Sequence, residues 1–248
     1  MSPSRIVNAQ YIALMTKDSL EALENEVNAE LKKMAETENA SYDPITDGVV
    51  DIEQYLKSSP KMLWILKEPW EDNGVGGWSV TKCLMLKGVV EGTIGNKGIY
   101  AKMAYITYSV FNGYPEWNDI PYVTNDPQVP GSLRRIAYIN INKGPGGRRS
   151  NAANIESYYR RNRHILNRQV DTMNPDIVIA GNVLHLFYDD LGLKHENFTS
   201  EGSVDVCSKN GRLYINAYHP AYWCIRAQRY VEDIVTAIKK QRERWEVK

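Results

Sequence analysis

The chain is poor in cysteine, carries no net charge and has no long hydrophobic run, and each lack removes a class of function. Its three cysteines, Cys83, Cys207 and Cys224, are scattered over 248 residues. They form no CxxC pair and match no zinc spacing. A disulfide framework and a structural metal are therefore not expected, and the pattern reads as that of a reduced cytoplasmic protein. His164, His185 and His195 have no partner at metal-ligand spacing either, so no metal is assigned. Thirty basic residues balance thirty acidic ones, so no overall field draws the chain to DNA or an anionic membrane. Any nucleic-acid affinity must be local. No stretch approaches the ~18 to 20 apolar residues of a membrane span. The start, MSPSRIVNAQYIALMTKD, lacks the profile of a signal peptide. Repeats and low-complexity tracts are missing, and the glycine clusters GVGGWS and GPGGRR do not have P-loop spacing.

What is present is a chain of 43% hydrophobic and 24% charged residues, long enough for one large α/β domain or two small ones. Residues 17–38 read as an amphipathic helix, with Leu20, Leu23, Val27, Leu31 and Met34 at three- and four-residue steps and Asp18 or Ser19 as cap. KMLWILK (61–67) is almost continuously apolar, as suits a strand covered on both faces. TKCLMLKGVVEG and IYAKMAYITYSVFNGY read as helical, and PEWNDIPYVTNDPQVPG as an exposed loop. After that the rhythm is regular. RRIAYININ is a strand. NAANIESYYRRNRHILNRQVDTM is a helix, with Ile155, Tyr158, Tyr159, Leu166, Val170 and Met173 on one face and Arg160, Arg161, His164 and Arg168 opposite. NPDIVIAG is a turn and strand, NVLHLFYDDL a helix, RLYINAY a strand, and the chain closes in a helix on Tyr230, Val231, Ile234 and Ile238.

This alternation predicts an α/β fold: a three-layer α/β/α sandwich around a central four-stranded parallel sheet, its strands near 62–67, 135–141, 176–180 and 213–218. Residues 1–60 are expected to form an N-terminal helical segment packed on the core. Residues 61–248 are expected to form the main domain, with an insertion at about 81–132. Ligands of such sheets bind outside the carboxyl ends of the strands. The loops at Lys67–Trp70, Asn140–Arg149 and His219-Pro220 should therefore meet.

In their order, these loops resemble the motifs of the uracil-DNA glycosylase superfamily. LKEPW stands where the best-known branch has Gly-Gln-Asp-Pro-Tyr, with Glu68 at the place of the catalytic aspartate and Lys67 replacing glutamine. WSV (78–80) resembles Phe-Ser-Val, whose ring stacks on a flipped base. YININ offers Asn140 for the asparagine that reads the base edge. NKGPGGRRSN resembles the Lys-Cys-Arg-Pro-Pro-Gly-Asn-Arg segment of the iron–sulfur branch, and NPDIVIAG its Pro-x-apolar-apolar-Gly. YHPAYWCIR resembles His-Pro-Ser followed by an arginine, with Ala221 replacing serine. The likeness covers roughly residues 61–80 and 134–240. The four cluster cysteines are missing, so no iron–sulfur cluster or other cofactor is implied.

The resemblance implies a cytoplasmic DNA-binding protein, expected as a monomer, that takes part in base excision repair. It would hydrolyse the N-glycosidic bond of uracil or another deaminated base after flipping the nucleotide from single- or double-stranded DNA. Glu68 would aim a water and oppose positive charge on the sugar. His219 would stabilise charge growing on the departing base. Asn140 would read the base edge, Trp78 hold the ring and Trp70 exclude a C5 methyl. Lys143, Arg148, Arg149 and Arg226 would contact DNA phosphates, and Tyr222 and Trp223 would fill the gap in the stack. The alternative is a non-catalytic base- or nucleotide-binding protein on the same fold. A third reading is a hydrolase of a small nucleoside-like substrate. Taken singly, each residue also has a plainer role: Glu68 as an exposed loop carboxylate, His219 as a turn residue, the tryptophans as packing, Asn140 as a strand-end cap.

Overall fold

A computed structural model describes residues 15–71, 73–85, 98–147 and 149–246. Helix α1 (Lys17–Thr37) opens on a capping box. Thr16 rather than Asp18 or Ser19 is the cap: its hydroxyl accepts the Ser19 N–H, and the Ser19 hydroxyl bonds back to Thr16. After α1 come β1 (Gly48–Val49), α2 (Ile52–Lys57), β2 (Met62–Leu66), α3 (Val80–Cys83), α4 (Ile99–Phe111), α5 (Gln128–Gly131) and β3 (Ile136–Asn140). The second half contains α6 (Ala152–Met173), β4 (Ile177–Gly181), α7 (Tyr188–Leu191), β5 (Thr199–Glu201), β6 (Val204–Lys209), β7 (Arg212–Ala217) and α8 (Ala227–Glu246).

One seven-stranded mixed sheet has the order β1-β3-β2-β4-β7-β6-β5. This corrects the expected four-stranded parallel sheet. Strands β3, β2, β4 and β7 do pair in parallel, but β1, β6 and β5 run antiparallel to their neighbours. The β6–β7 hairpin closes at Asn210-Gly211, whose φ values of 53° and 80° match the left-handed positions of a two-residue hairpin turn. Strand β1 has two residues, too few to show a period.

Alternation along each strand decides which layer it feeds. Met62, Trp64, Leu66, Tyr138, Ile179 and Ile215 pack against α4 and α8, and Leu63, Ile65, Ile139, Val178 and Tyr214 against α1 and α6. Helices therefore cover both faces. Full burial of each such side chain contributes roughly 1.5–3 kcal/mol. Within the segment read as an insertion, α4 buries Ala101, Met103, Ala104, Ile106 and Val110 in the core, so it is the covering helix of the β2–β3 crossover. Residues 86–97 of that segment lie outside the described residues. In the N-terminal segment α1 and α2 pack on the core, and Gly48–Val49 enters the sheet beside β3.

The basic face of α6 holds α1. Arg161 pairs with Glu38 at 3.0 Å, and Arg168 and His164 both reach Glu30 at 2.5 Å. Such partly exposed pairs contribute about 0–1 kcal/mol each. Among the described residues, no helix is long and apolar enough to cross a membrane.

Candidate functional site

The chain leaves β2 and β7 toward the α4/α8 layer and leaves β3 and β4 toward the α6/α7 layer. Diverging exits open a crevice at the carboxyl edge of a parallel sheet. The first two expected loops meet there. Beyond the strands, Ile141 N–H donates to Leu66 O at 3.0 Å and Asn142 N–H to Lys67 O at 2.9 Å. Gly146 N–H then donates to Pro69 O at 2.7 Å, and Glu71 N–H to Gly146 O at 3.0 Å. Glu68 is half-buried in this zipper, and its Oε2 accepts from Asn142 Nδ2 at 3.2 Å. Gly146 leaves room for it: a Cβ there would stand 2.8 Å from the Glu68 carboxyl carbon and 2.9 Å from the Pro69 carbonyl.

His219 follows β7. Its Nδ1 accepts the Ala221 N–H at 3.2 Å, so the neutral ring carries its proton on Nε2. Burial, reinforced by the charges of Lys67 and Lys102, lowers its pKa to about 4. At neutral pH the side chain is thus an uncharged Nε2–H donor. The ring lies across the end of β4 because Gly181 has no side chain. A Cβ on Gly181 would come within 2.6 Å of Leu66 Cδ2 and 3.3 Å of His219 Cδ2. His219 therefore reaches from β7 over β4 toward β2 and Lys67.

Asn140 ends β3 and is 1% exposed. Its N–H donates to Asp47 Oδ2 at 2.7 Å, and its Oδ1 accepts the Tyr138 hydroxyl at 3.2 Å. Its Nδ2 is buried and has no partner among the described residues. Strands β3 and β7 are separated by β2 and β4, a span of roughly 14 Å. The start of α4 bridges that span. Tyr100 hydrogen-bonds Tyr138 at the Asn140 side, and Lys102 stands by His219.

The other expected residues divide. Lys143 is not a phosphate contact: it is 3% exposed, and its ammonium is held by both Asp47 oxygens at 2.6 and 2.7 Å and by Gln169 Oε1 at 3.1 Å. The loop after β3, whose Asn142 bonds Glu68, turns this side chain into the core. Trp78 is tethered away from His219. Its backbone pairs with Thr46, its Nε1 donates to Glu71 Oε2 at 3.3 Å, and its ring lines a hollow of about 500 Å³ with Asn28, Lys82 and Cys83. Glu68, Asn140 and His219 do not line that hollow. Arg148 lies outside the described residues. Arg149 and Arg226 are exposed, as are Trp70 at 57% and Trp223 at 86%. Tyr222 stacks on Tyr218, ring centroids 4.7 Å apart and planes at 9°. Beside this pair, Asn182, Asn216, Tyr218, Arg226 and Arg229 line a cleft of about 940 Å³.

Sequence reasoning missed Asp47, Asn142 and Lys102. Lys102 had a legible signal, since it is the one charged residue in IYAKMAYITYSVF. Asp47 had none, because its partners lie about a hundred residues away.

The Trp78 tether rests on a glycine. Gly76 has φ 73°, and a Cβ there would overlap the Asp43 carbonyl oxygen. Gly76→Ala should cost roughly 1 kcal/mol or more in urea unfolding, from strain and lost pairing of 76–79 with 43–46.

Two groups give stability opposite pH dependences. His219, lowered to about 4, contributes stability that is present above its unfolded pKa near 6.5 and lost as pH falls toward 4. Glu24 is pushed up to about 7, chiefly by burial and then by the nearby Asp47 charge, against the Val49 N–H it accepts. Its contribution is present at low pH and lost as pH rises from about 4.5 to 7. Each is worth up to roughly 3 kcal/mol, and between pH 4.5 and 6.5 they oppose one another. Urea unfolding of Glu24→Gln should expose the acid-side loss, and unfolding of His219→Gln the alkaline-side loss. Parallel curves for both variants and wild type would refute the assignment.

The chain matches no protein-family model and no curated protein.

Proposed function

We propose that the protein is a DNA glycosylase-like enzyme that hydrolyses the N-glycosidic bond of uracil or another deaminated base. The single observation that carries this reading is the presence, at the carboxyl ends of one parallel sheet, of a neutral Nε2–H donor, His219, and a buried amide, Asn140, whose Nδ2 has no partner among the described residues. Buried polar groups are almost always satisfied, and an orphan donor at a strand end fits a site awaiting a carbonyl oxygen. The order of the motifs along the chain supports the same reading.

In this mechanism the flipped base enters the crevice with one carbonyl toward Asn140 Nδ2 and another toward His219 Nε2–H. The C1′–N bond breaks and its electron pair leaves with the base. His219 donates to the oxygen that gains this charge, while Lys67 and Lys102 add positive potential. Glu68, next to Lys67, opposes the oxocarbenium charge and accepts a proton from the water that adds to C1′. Trp70 and Trp223 provide exposed aromatic surface at the rim for bases or the opened stack.

A second reading is favoured by the Glu68–Asn142 hydrogen bond, which occupies one carboxylate oxygen. On that reading the protein binds a base or nucleotide without hydrolysis. The test is incubation with single- and double-stranded oligonucleotides carrying uracil, hypoxanthine or xanthine, followed by cleavage at abasic sites. Strand breaks at the modified position support the enzyme. Tight binding with no breaks on any substrate supports the binding protein.

A further inference from the structure

We propose that Lys102, with Tyr230, is a positioning residue that clamps the His219 turn and holds its imidazole neutral with the proton on Nε2. This rests on the catalytic role given to His219 above. The geometry is a closed set of contacts between two helices and one turn. Lys102 Nζ on α4 donates to the Tyr222 carbonyl at 3.1 Å and lies 5.0 Å from the centre of the Tyr230 ring. The Tyr230 hydroxyl on α8 donates to the Tyr218 carbonyl at 2.8 Å. The Tyr218 and Tyr222 carbonyls of the turn are thus held from two neighbouring helices of one layer. Between them, Tyr222 N–H donates to His219 O at 2.7 Å and Ala221 N–H to His219 Nδ1.

The clamp acts on the histidine in two ways. It keeps the Ala221 N–H aimed at Nδ1, and an N–H in that place opposes protonation there. It also keeps an ammonium beside the ring, which opposes a second positive charge. Among the described residues, Lys67 is the other cation that lowers the His219 pKa, and no carboxylate contributes to the shift. A lysine fits this place better than a neutral donor would. It disfavours imidazolium before the reaction and favours the anion that forms on the departing base.

The test separates charge from clamp. Lys102→Gln keeps a donor for the Tyr222 carbonyl and removes the charge, Lys102→Arg keeps both, and Tyr230→Phe keeps the ring and removes the hydroxyl. The His219 ring protons are followed by NMR from pH 3.5 to 8 without substrate, assigned by their loss in His219→Gln. In Lys102→Gln the midpoint should rise from about 4 by roughly half a pH unit or more. In Lys102→Arg it should stay near the wild-type value. In Tyr230→Phe the ring should lose its single tautomer, read from its nitrogen shifts. An unchanged midpoint in Lys102→Gln, or an equal rise in Lys102→Arg, would overturn the proposal. If the wild type releases base, the acidic limb of the rate profile should move with the midpoint. If it releases none, the enzymatic reading fails while the titration still decides the clamp.

Discussion

His219→Ala should lower the single-turnover rate of base release by roughly 10²- to 10³-fold and leave the dissociation constant for substrate DNA nearly unchanged. The asymmetry follows from when the interaction forms. In the proposed reaction the base oxygen carries little charge in the bound ground state and most of it as the C1′–N bond breaks, so the Nε2–H of His219 would act mainly in the transition state. The donor is preorganised: the Ala221 N–H fixes the tautomer, and the low pKa keeps the ring uncharged at neutral pH. His219→Gln retains an N–H donor of similar reach and should recover part of the rate. Glu68→Gln should also slow release with binding intact, through loss of the carboxylate charge and of its capacity to take a proton. Rates and dissociation constants measured at one fixed salt concentration decide the matter, because DNA affinity varies steeply with salt. Equal rates for wild type and His219→Ala on a true substrate would remove the histidine from the mechanism.

Asp47→Ala should destabilise the protein by roughly 3–5 kcal/mol at pH 7. Asp47 and Lys143 have side chains 1% and 3% exposed, and the carboxylate also accepts Asn140 N–H and Gln169 Nε2 at 2.7 and 3.1 Å. Removing it strands an ammonium in the core and orphans the Asn140 N–H. Burial already lowers the Lys143 pKa, and among the described residues only Asp47 opposes that shift. Without the carboxylate the folded state should prefer neutral Lys143, while the unfolded chain keeps its proton up to about pH 10.4. The stability deficit should therefore shrink as pH rises from 7 to 9, by up to roughly 1.4 kcal/mol per pH unit. Lys143→Met should cost less than Asp47→Ala, since the remaining carboxylate keeps two N–H donors. A deficit independent of pH would mean that packing, not the buried charge, dominates.

What the sequence determined by itself is the set of strands and helices whose pattern is local. MLWIL, IAYIN, IVIAG and RLYINA are short apolar runs that no exposed segment tolerates, and the heptad-like steps of residues 17–37, 152–173 and 227–246 need only neighbours on one helix to show their face. Because ligands collect at the carboxyl ends of parallel strands, Glu68, Asn140 and His219 were also legible as loop-end residues. The Asn-Gly of SKNGRL is a local hairpin signal that the four-stranded reading missed.

The tertiary structure alone decided what depends on distant pairs. Asn140 and Lys143 both meet Asp47, more than ninety residues away, and that pairing turned an expected surface cation into a buried one. Trp78 follows Thr46 and Glu71 to a separate hollow, which the WSV motif by itself does not show. The charge state of His219 comes from burial and from lysines on β2's exit and on α4, three segments that meet only when β7 packs beside β4 and α4 crosses the sheet. The physical reason is the same in each case. Periodicity along a chain records which face a residue takes, whereas desolvation and Coulomb terms depend on which other residues share that face in three dimensions.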